Sequence, residues 1–227
     1  EVEAVLGLIW DVMRDTININ GDRINKKAKA ASTKRGVYST TAQVFNPLGL
    51  LSPYVFQCKI LVRDIWKAGV EWDDTLPDNL AFRWEGWRSE LPLLSSITLP
   101  RHVSLVGVKI QRLVGFCDAS GLGFGAMVYL VSFRDEWVVS HLITSRTRIA
   151  PAKITEIPRL ELCSAVLLAN VMAAVQKAIP EVNEEDTYYF SDSADVLYWL
   201  WSESISQPKD TTYFIGNRLK KIRRVSK

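Results

Sequence analysis

The chain is poor in the residues that build cross-links and transition-metal sites. It has two histidines, His102 and His141, and three cysteines, Cys58, Cys117 and Cys163, which are far apart and form no C-x-x-C pair. A disulfide framework and a Cys/His zinc site are both unsupported, and a reduced, intracellular protein is expected. With so little imidazole and thiolate, any bound metal has to rest on carboxylates, which favour Mg²⁺ or Mn²⁺. Long apolar runs are missing too. Those such as Gly125 to Val131 fall far short of the roughly 20 residues that span a bilayer, so no membrane is expected as a partner. The N-terminus "EVEAVLGLIWD" has neither a basic n-region nor an initiating Met, and the expectation is a soluble piece of a longer polypeptide. Internal repeats and low-complexity tracts are absent.

The 227 residues are 48% hydrophobic and 23% charged, an ordinary globular balance that suffices for one large domain or two small ones. A net charge of +3 is too small to argue for nucleic acid by itself, but the cations are clustered. Arg218, Lys220, Lys221, Arg223, Arg224 and Lys227 crowd the C-terminus without an acid among them, and Arg23, Lys26, Lys27, Lys29, Lys34 and Arg35 form a second group. Such runs are usually solvated faces, and they gain meaning only beside a nuclease-like site.

Along the chain, "VLGLIWDVMRDTININGDR" reads as a hairpin, an apolar strand through Trp10 followed by a polar turn and the alternating Thr16 to Ile19. From Thr33, a plausible N-cap, a helical pattern runs through Val37, Tyr38, Val44 and Phe45 to the stop at Asn46-Pro47. After the turn "LGLLSP", Ser52 is expected to cap and Pro53 to open a second helix. Its Tyr54, Val55, Cys58, Leu61, Val62, Ile65 and Trp66 keep the spacing of a buried face. Trp72 to Pro77 is a loop, and a third helix over Asp78 to Leu91 carries Leu80, Trp84, Trp87 and Leu91 toward a core. Then the texture changes. Leu113 to Cys117, Gly125 to Val131 and Trp137 to Ile143 are short Val/Phe/Tyr/Leu-rich runs separated by the turns "DASGLG" and "SFRDE", which predicts an antiparallel meander. A helix over Pro158 to Ala178, a strand over Thr187 to Ser191, a helix over Ala194 to Trp201 and a helical basic tail from Tyr213 complete an α/β layer structure. Its fourth strand, reached across a helix, is placed parallel to the first. The boundary between the helical N-terminal half and this layer is placed near residue 105.

In that arrangement the ends of the first and fourth strands are neighbours. They carry Asp118 in "GFCDASGLGFGA" and Asp192 in "YFSDSAD", and Glu161 in "EIPRLELCSAVLLA" stands one turn inside the long helix. Each has a bland reading: a turn Asp, a Glu favoured by the helix dipole, and an N-cap Asp. Their joint placement at strand end, first helical turn and strand end suits phosphodiester hydrolysis by two metal ions, because hard cations take oxygen ligands and carboxylates from different elements must converge on them. Glu156, before Pro158, ranks below Glu161, and Asp195 reads as a first-turn helix acid.

The order of strand Asp, helix Glu and strand Asp-Ser resembles the ribonuclease H fold. The strings "LGLIWD", "KRGVYSTTAQVFNPLGLLSPYVFQCKILVRDIW", "FCDAS", "IPRLELCSAVLLA" and "YFSDSADVLYWL", with "YFIGNRLKKI" as a weaker echo, resemble the polymerase polyprotein of Pao/BEL long-terminal-repeat retrotransposons. The resemblance implies that residues 1–105 are the end of a reverse transcriptase, with a primer-grip-like hairpin at Leu6 to Trp10 and thumb and connection helices after Thr33. Residues 106–227 would be a ribonuclease H-like domain: a mixed sheet of a three-strand antiparallel meander plus a parallel strand, with flanking helices. It implies further that Asp118, Glu161 and Asp192 hold Mg²⁺ or Mn²⁺ and cut the RNA strand of an RNA–DNA hybrid. Arg146, Arg148, Lys153, Lys34 and Arg35 are nucleic-acid contacts, or solvated surface, on the same reading. The partners implied are template/primer nucleic acid and the rest of the polyprotein, in the cytoplasm or in virus-like particles. The family pattern also has polymerase carboxylates that would precede residue 1, so Asp73-Asp74 in a loop is not expected to polymerise DNA. A fourth acid and a last strand are expected beyond "NRLKKI", so the domain reads as C-terminally truncated. The alternatives are a catalytically idle template/primer-holding module and a decayed retroelement copy.

Overall fold

The computed structural model describes residues 2–5, 8–28, 32–104, 107–154, 156–202 and 210–225. The chain divides into two compact units, Glu1–Pro47 with Leu51–His102, and Leu48–Leu50 with Val103–Lys227. Residue 105, where the sequence places the boundary, lies outside the described residues.

In the first unit, strands β1 (Val2–Val5), β2 (Leu8–Asp11), β3 (Thr16–Ile19) and β4 (Thr98–Pro100) form an antiparallel sheet in that order. The expected hairpin is β2-β3. Its turn is held by Asp11, whose Oδ1 accepts from the Met13 and Arg14 amides, and by Asp15, which accepts from Trp10 Nε1 at 3.1 Å and from Arg101. Helix α1 (Gly21–Ala28) has no counterpart in the sequence reading, because "GDRINKKA" offers only Ile24 and Ala28 as apolar positions. Helix α2 (Lys34–Thr41) starts as expected, with Thr33 Oγ1 accepting from the Gly36 amide, but it ends five residues before Asn46. There Thr41 Oγ1 turns back to the Val37 carbonyl at 2.7 Å, and the Gln43 and Val44 amides bond three residues back, so the chain tightens out of the helix.

Helix α3 (Ser52–Lys67) contains Ser52 as a buried first residue, not as its cap. Asn46 Oδ1 accepts from the amide of Leu51, the capping position, at 3.0 Å. Cys58, Leu61 and Ile65 are buried as expected, whereas Trp66 is 52% exposed. In α4 (Asp78–Ser89) and the 3-10 turn Leu91–Ser96, the four expected residues Leu80, Trp84, Trp87 and Leu91 are all buried. Tyr54 and Trp87 stack at 4.6 Å and exchange hydrogen bonds, Tyr54 Oη to the Trp87 carbonyl and Trp87 Nε1 to the Tyr54 carbonyl.

The second unit is a sheet in the order β7-β6-β5-β8, with β5 (Ile110–Ser120), β6 (Gly123–Arg134) and β7 (Trp137–Ile149) antiparallel and β8 (Thr187–Phe190) parallel to β5. This is the expected meander plus parallel strand. The strands outrun the expected ones because Asp118, Ala119 and Ser120 stay in the ladder, paired with Gly125, Phe124 and Gly123, and only Gly121 and Leu122 turn. Poor strand propensity at Asp yields here to cross-strand pairing.

Side chains alternate along β5. Leu113 and Cys117 face the core, and Phe116 and Asp118 face outward. Helix α5 (Ile157–Ala178) is long and apolar enough to cross a bilayer, but its Leu160, Leu162, Leu168 and Met172 are buried in the core of this unit. It lies close because Gly115 has no side chain; a Cβ there would stand 2.6 Å from Leu168 Cδ1 and 2.7 Å from Met172 Cε. Helices α6 (Ala194–Trp201) and α7 (Asp210–Val225) bring Val196, Leu219 and Ile222 to the same core.

Candidate active site

The β5-β8 register ends on the pair Phe116 and Phe190; two residues on, Asp118 is still in β5, and Asp192 stands just past the carboxyl end of β8 beside it. Beyond the last rung, Cys117 Sγ lies 3.6 Å from the Phe190 carbonyl and continues the tie between the two chains. Glu161 arrives from the second turn of α5, which crosses over the sheet from the end of β7. One carboxylate oxygen from each of Asp118, Glu161 and Asp192 lies within 4.8 Å of the others.

Two of the bland readings can be weighed against this geometry. Asp192 is not the cap of α6: Ser193 is, its Oγ accepting from the Val196 amide at 3.4 Å, and Asp192 is left exposed. The signal for this lay in "SDSAD", where two cap-forming residues stand side by side and only the second adjoins the helix. Glu161 is more than a dipole partner at a helix start. It is 7% exposed, and its Oε2 is buried without a hydrogen-bond partner. Asp118 Oδ1 accepts from the Ala119 amide at 2.6 Å.

Burial pushes the Glu161 carboxyl above its ordinary range, and the neighbouring charges of Asp118 and then Asp192 push it further the same way. Burial likewise raises the Cys117 thiol, which lies beside Ser164 and Ser191. Three converging carboxylates, one of them desolvated, are an unfavourable arrangement for an empty pocket and a favourable one for a hard divalent cation. The all-oxygen donor set and the orphaned Oε2 fit Mg²⁺ or Mn²⁺.

Glu156 is outside the group; it occupies the capping position of α5 and pairs with Arg159 at 2.9 Å. Asp195 is an exposed first-turn acid of α6. Arg146 and Arg148 are exposed on β7 and Lys153 is exposed in the segment after it. Asp118, Gly125 and Thr147 form one row across the three strands. Arg146 and Arg148 lie in the flanking rows with Cys117 and Ala119, on the opposite side of the pleat from Asp118. Arg146 Nη1 donates to the Ser145 carbonyl.

The two N-terminal cations expected to meet nucleic acid are occupied within the first unit. Lys34 is 4% exposed, with Nζ 2.9 Å from the Val70 carbonyl and 3.5 Å from the centre of the Trp66 ring. Arg35 is bidentate to Asp73 at 2.7 and 2.9 Å. A phosphate contact by buried Lys34 is therefore withdrawn; its spacing from Trp66 and Trp72 in the sequence gave no sign that the three would meet. Lys34→Met, which keeps the packing and removes the charge, is expected to lower stability by about 1–2 kcal/mol in urea denaturation and to leave nucleic-acid affinity unchanged.

The sheet order and the acids at the ends of β5 and β8 and in α5 define a ribonuclease H-like domain. The family model described as the Pao retrotransposon-like RNaseH-like domain matches residues 33–193, and the chain belongs to that family. Among solved structures, it is similar to the foamy viral protease-reverse transcriptase in complex with dsDNA, at 12% identity and a TM-score of 0.50 over 96% of this chain and 42% of that one. A second foamy viral protease-reverse transcriptase structure, dRH with ds DNA, gives 13% identity and a TM-score of 0.47 over 95% of this chain and 36% of that one. The likeness is one of fold, and the chain spans less than half of either. Comparison with curated proteins finds no match.

Proposed function

We propose that the second unit hydrolyses the RNA strand of RNA–DNA hybrids, within a retroelement polymerase polyprotein whose reverse-transcriptase thumb and connection correspond to the first unit. The observation that carries this reading is the convergence of Asp118, Glu161 and Asp192 within 4.8 Å, with one buried oxygen left unpartnered. Asp118, Glu161 and Asp192 would hold divalent metal, which would supply activation of a water and stabilisation of the leaving oxygen of a phosphodiester. The chain's own part is placement. Two hydrogen-bonded strands hold Asp118 and Asp192 side by side, and α5 holds Glu161 behind them. Burial keeps water off Glu161, while exposed Asp118 and Asp192 leave the site open on the side where the phosphodiester has to arrive. The dsDNA held by the foamy viral protease-reverse transcriptase supports nucleic acid as the partner.

A template/primer-holding module without catalysis is the second reading. The dsDNA in the foamy viral protease-reverse transcriptase structure is accounted for by this reading as well as by the first.

One assay separates the two. A 5′-labelled RNA–DNA hybrid is incubated with the chain in Mg²⁺ or Mn²⁺, beside its Asp118→Asn variant. Cleavage is expected, and Asp118→Asn should reduce it by more than the roughly 10–100-fold seen on losing an outer partner of a metal. Cleavage that survives the substitution, or none by either protein, would remove the nuclease reading.

A further inference from the structure

Of the two basic clusters in the sequence, the N-terminal one is partly spent internally, on Val70 and Asp73. The C-terminal one, carried by α7, is divided by the helix into two roles. Arg218 stacks on Phe214, 3.3 Å from the ring centre, and donates to the Phe214 carbonyl. Arg223 donates to the carbonyls of Trp199, Leu200 and Ser202 at 3.2, 2.9 and 3.1 Å, which closes the C-terminus of α6.

Lys220, Lys221 and Arg224 do neither. They are exposed, and among the described residues none is joined to an acid. At 3.6 residues per turn they fall with exposed Tyr213 and Asn217 in one stripe about 100° wide, opposite the buried Leu219 and Ile222. The helix has no acid after Asp210, so like charges at 220, 221 and 224 repel one another with nothing interleaved. The helix dipole favours cations in the last turn, but Arg223 already meets that demand.

The stripe is also placed to matter. Phe214 lies under the Arg159 guanidinium, 5.5 Å away, in the first turn of α5 and two residues before Glu161. The N-terminal end of α7 therefore sits beside the first turn of α5, next to the turn that carries the buried acid. From Tyr213 to Arg224 the stripe extends about 16 Å away from it.

We propose that this outward face of α7 binds the phosphate backbone of the nucleic acid acted on at the site, through Lys220, Lys221 and Arg224. This rests on the nuclease reading for its ligand and goes beyond it in assigning the surface. The contact is electrostatic and sequence-independent. Each neutralised phosphate releases counterions, so the three cations account for about 2.7 units of the slope of log K against log[salt].

The test is fluorescence anisotropy of a labelled RNA–DNA hybrid and of the same sequence as a DNA duplex, from 50 to 300 mM KCl. It compares the chain, the Lys220→Gln/Lys221→Gln/Arg224→Gln variant and Asp118→Asn, with circular dichroism and thermal midpoints alongside. The triple variant is expected to flatten the slope by roughly 2–3 units and to weaken binding of both duplexes about tenfold or more at 150 mM salt. Asp118→Asn is expected to keep the slope. An unchanged slope in a normally folded triple variant overturns the proposal, as does tighter binding of the chain to phosphatidylserine vesicles than to either duplex. The slope change without any cleavage by the chain supports the surface and removes only the nuclease reading. Cleavage without the slope change removes only the surface.

Discussion

Glu161→Gln is expected to raise the thermal midpoint of the metal-free protein and to abolish the hybrid cleavage proposed for the second unit. The two effects have one cause. The Glu161 carboxylate is 7% exposed, has an unpartnered oxygen and lies within 4.8 Å of two other acids, so ionising it in the folded state works against both desolvation and like charge. Glutamine keeps the shape and removes the charge. The expected direction is therefore a higher thermal midpoint.

The sign is checked by pH. A carboxyl whose folded value lies above its ordinary 4.5 contributes stability that is present below that value and is lost as pH rises through the raised one. Metal-free wild type therefore loses stability from about pH 4.5 upward through this group, and Glu161→Gln lacks that component. Mn²⁺ reverses the order. A cation at a hundredfold over its dissociation constant stabilises by about 2.7 kcal/mol, and only wild type should show that gain. Calorimetry at pH 5 and pH 8, with and without Mn²⁺, reads all of this. A variant less stable than wild type without metal at pH 8 would contradict it.

Gly49→Ala is expected to be strongly damaging. Gly49, in "FNPLGLLSP", has φ +78°, and a Cβ there would lie 1.8 Å from the Ser145 carbonyl oxygen and 2.6 Å from its carbon. Both are backbone atoms of β7, so no rotamer change relieves the overlap. The segment Leu48–Leu50 belongs to the second unit through this strand: the Ser145 amide donates to the Leu48 carbonyl at 3.0 Å, and Ser145 Oγ donates to the Gly49 carbonyl at 2.6 Å. Making room for the methyl breaks both bonds and adds left-handed strain, for a loss of about 3 kcal/mol or more in urea denaturation. Gly69→Ala is the control. It has φ +67° with nothing within 4 Å of the added carbon, so it should lose only the strain, about 1–2 kcal/mol. Equal losses at the two positions would mean that the overlap with Ser145 is relieved at no expense.

The order of strands, the long helix and the neighbouring strand ends that carry Asp118 and Asp192 are legible in the sequence, because each follows from a local period and from the rule that a strand reached across a helix returns parallel. That Glu161 meets them is not, since no local pattern sets where the helix crosses the sheet. What fails is non-local. The strands run past their apolar stretches because the partner strand continues, and no local pattern reports a partner. Lys34 looks like any surface lysine until Trp66, 32 positions on, closes over it. The role of Gly49 depends on Ser145, 96 positions away.

The three acids do not stand on equally firm ground. β5 runs 11 residues and is hydrogen-bonded along both edges, whereas β8 runs four and, among the described residues, is bonded to β5 alone. The β5-β8 ladder spans four residue pairs and the β5-β6 ladder eleven, so the seam that joins Asp118 to Asp192 is the one that opens more readily. A cation held by these acids would fasten it.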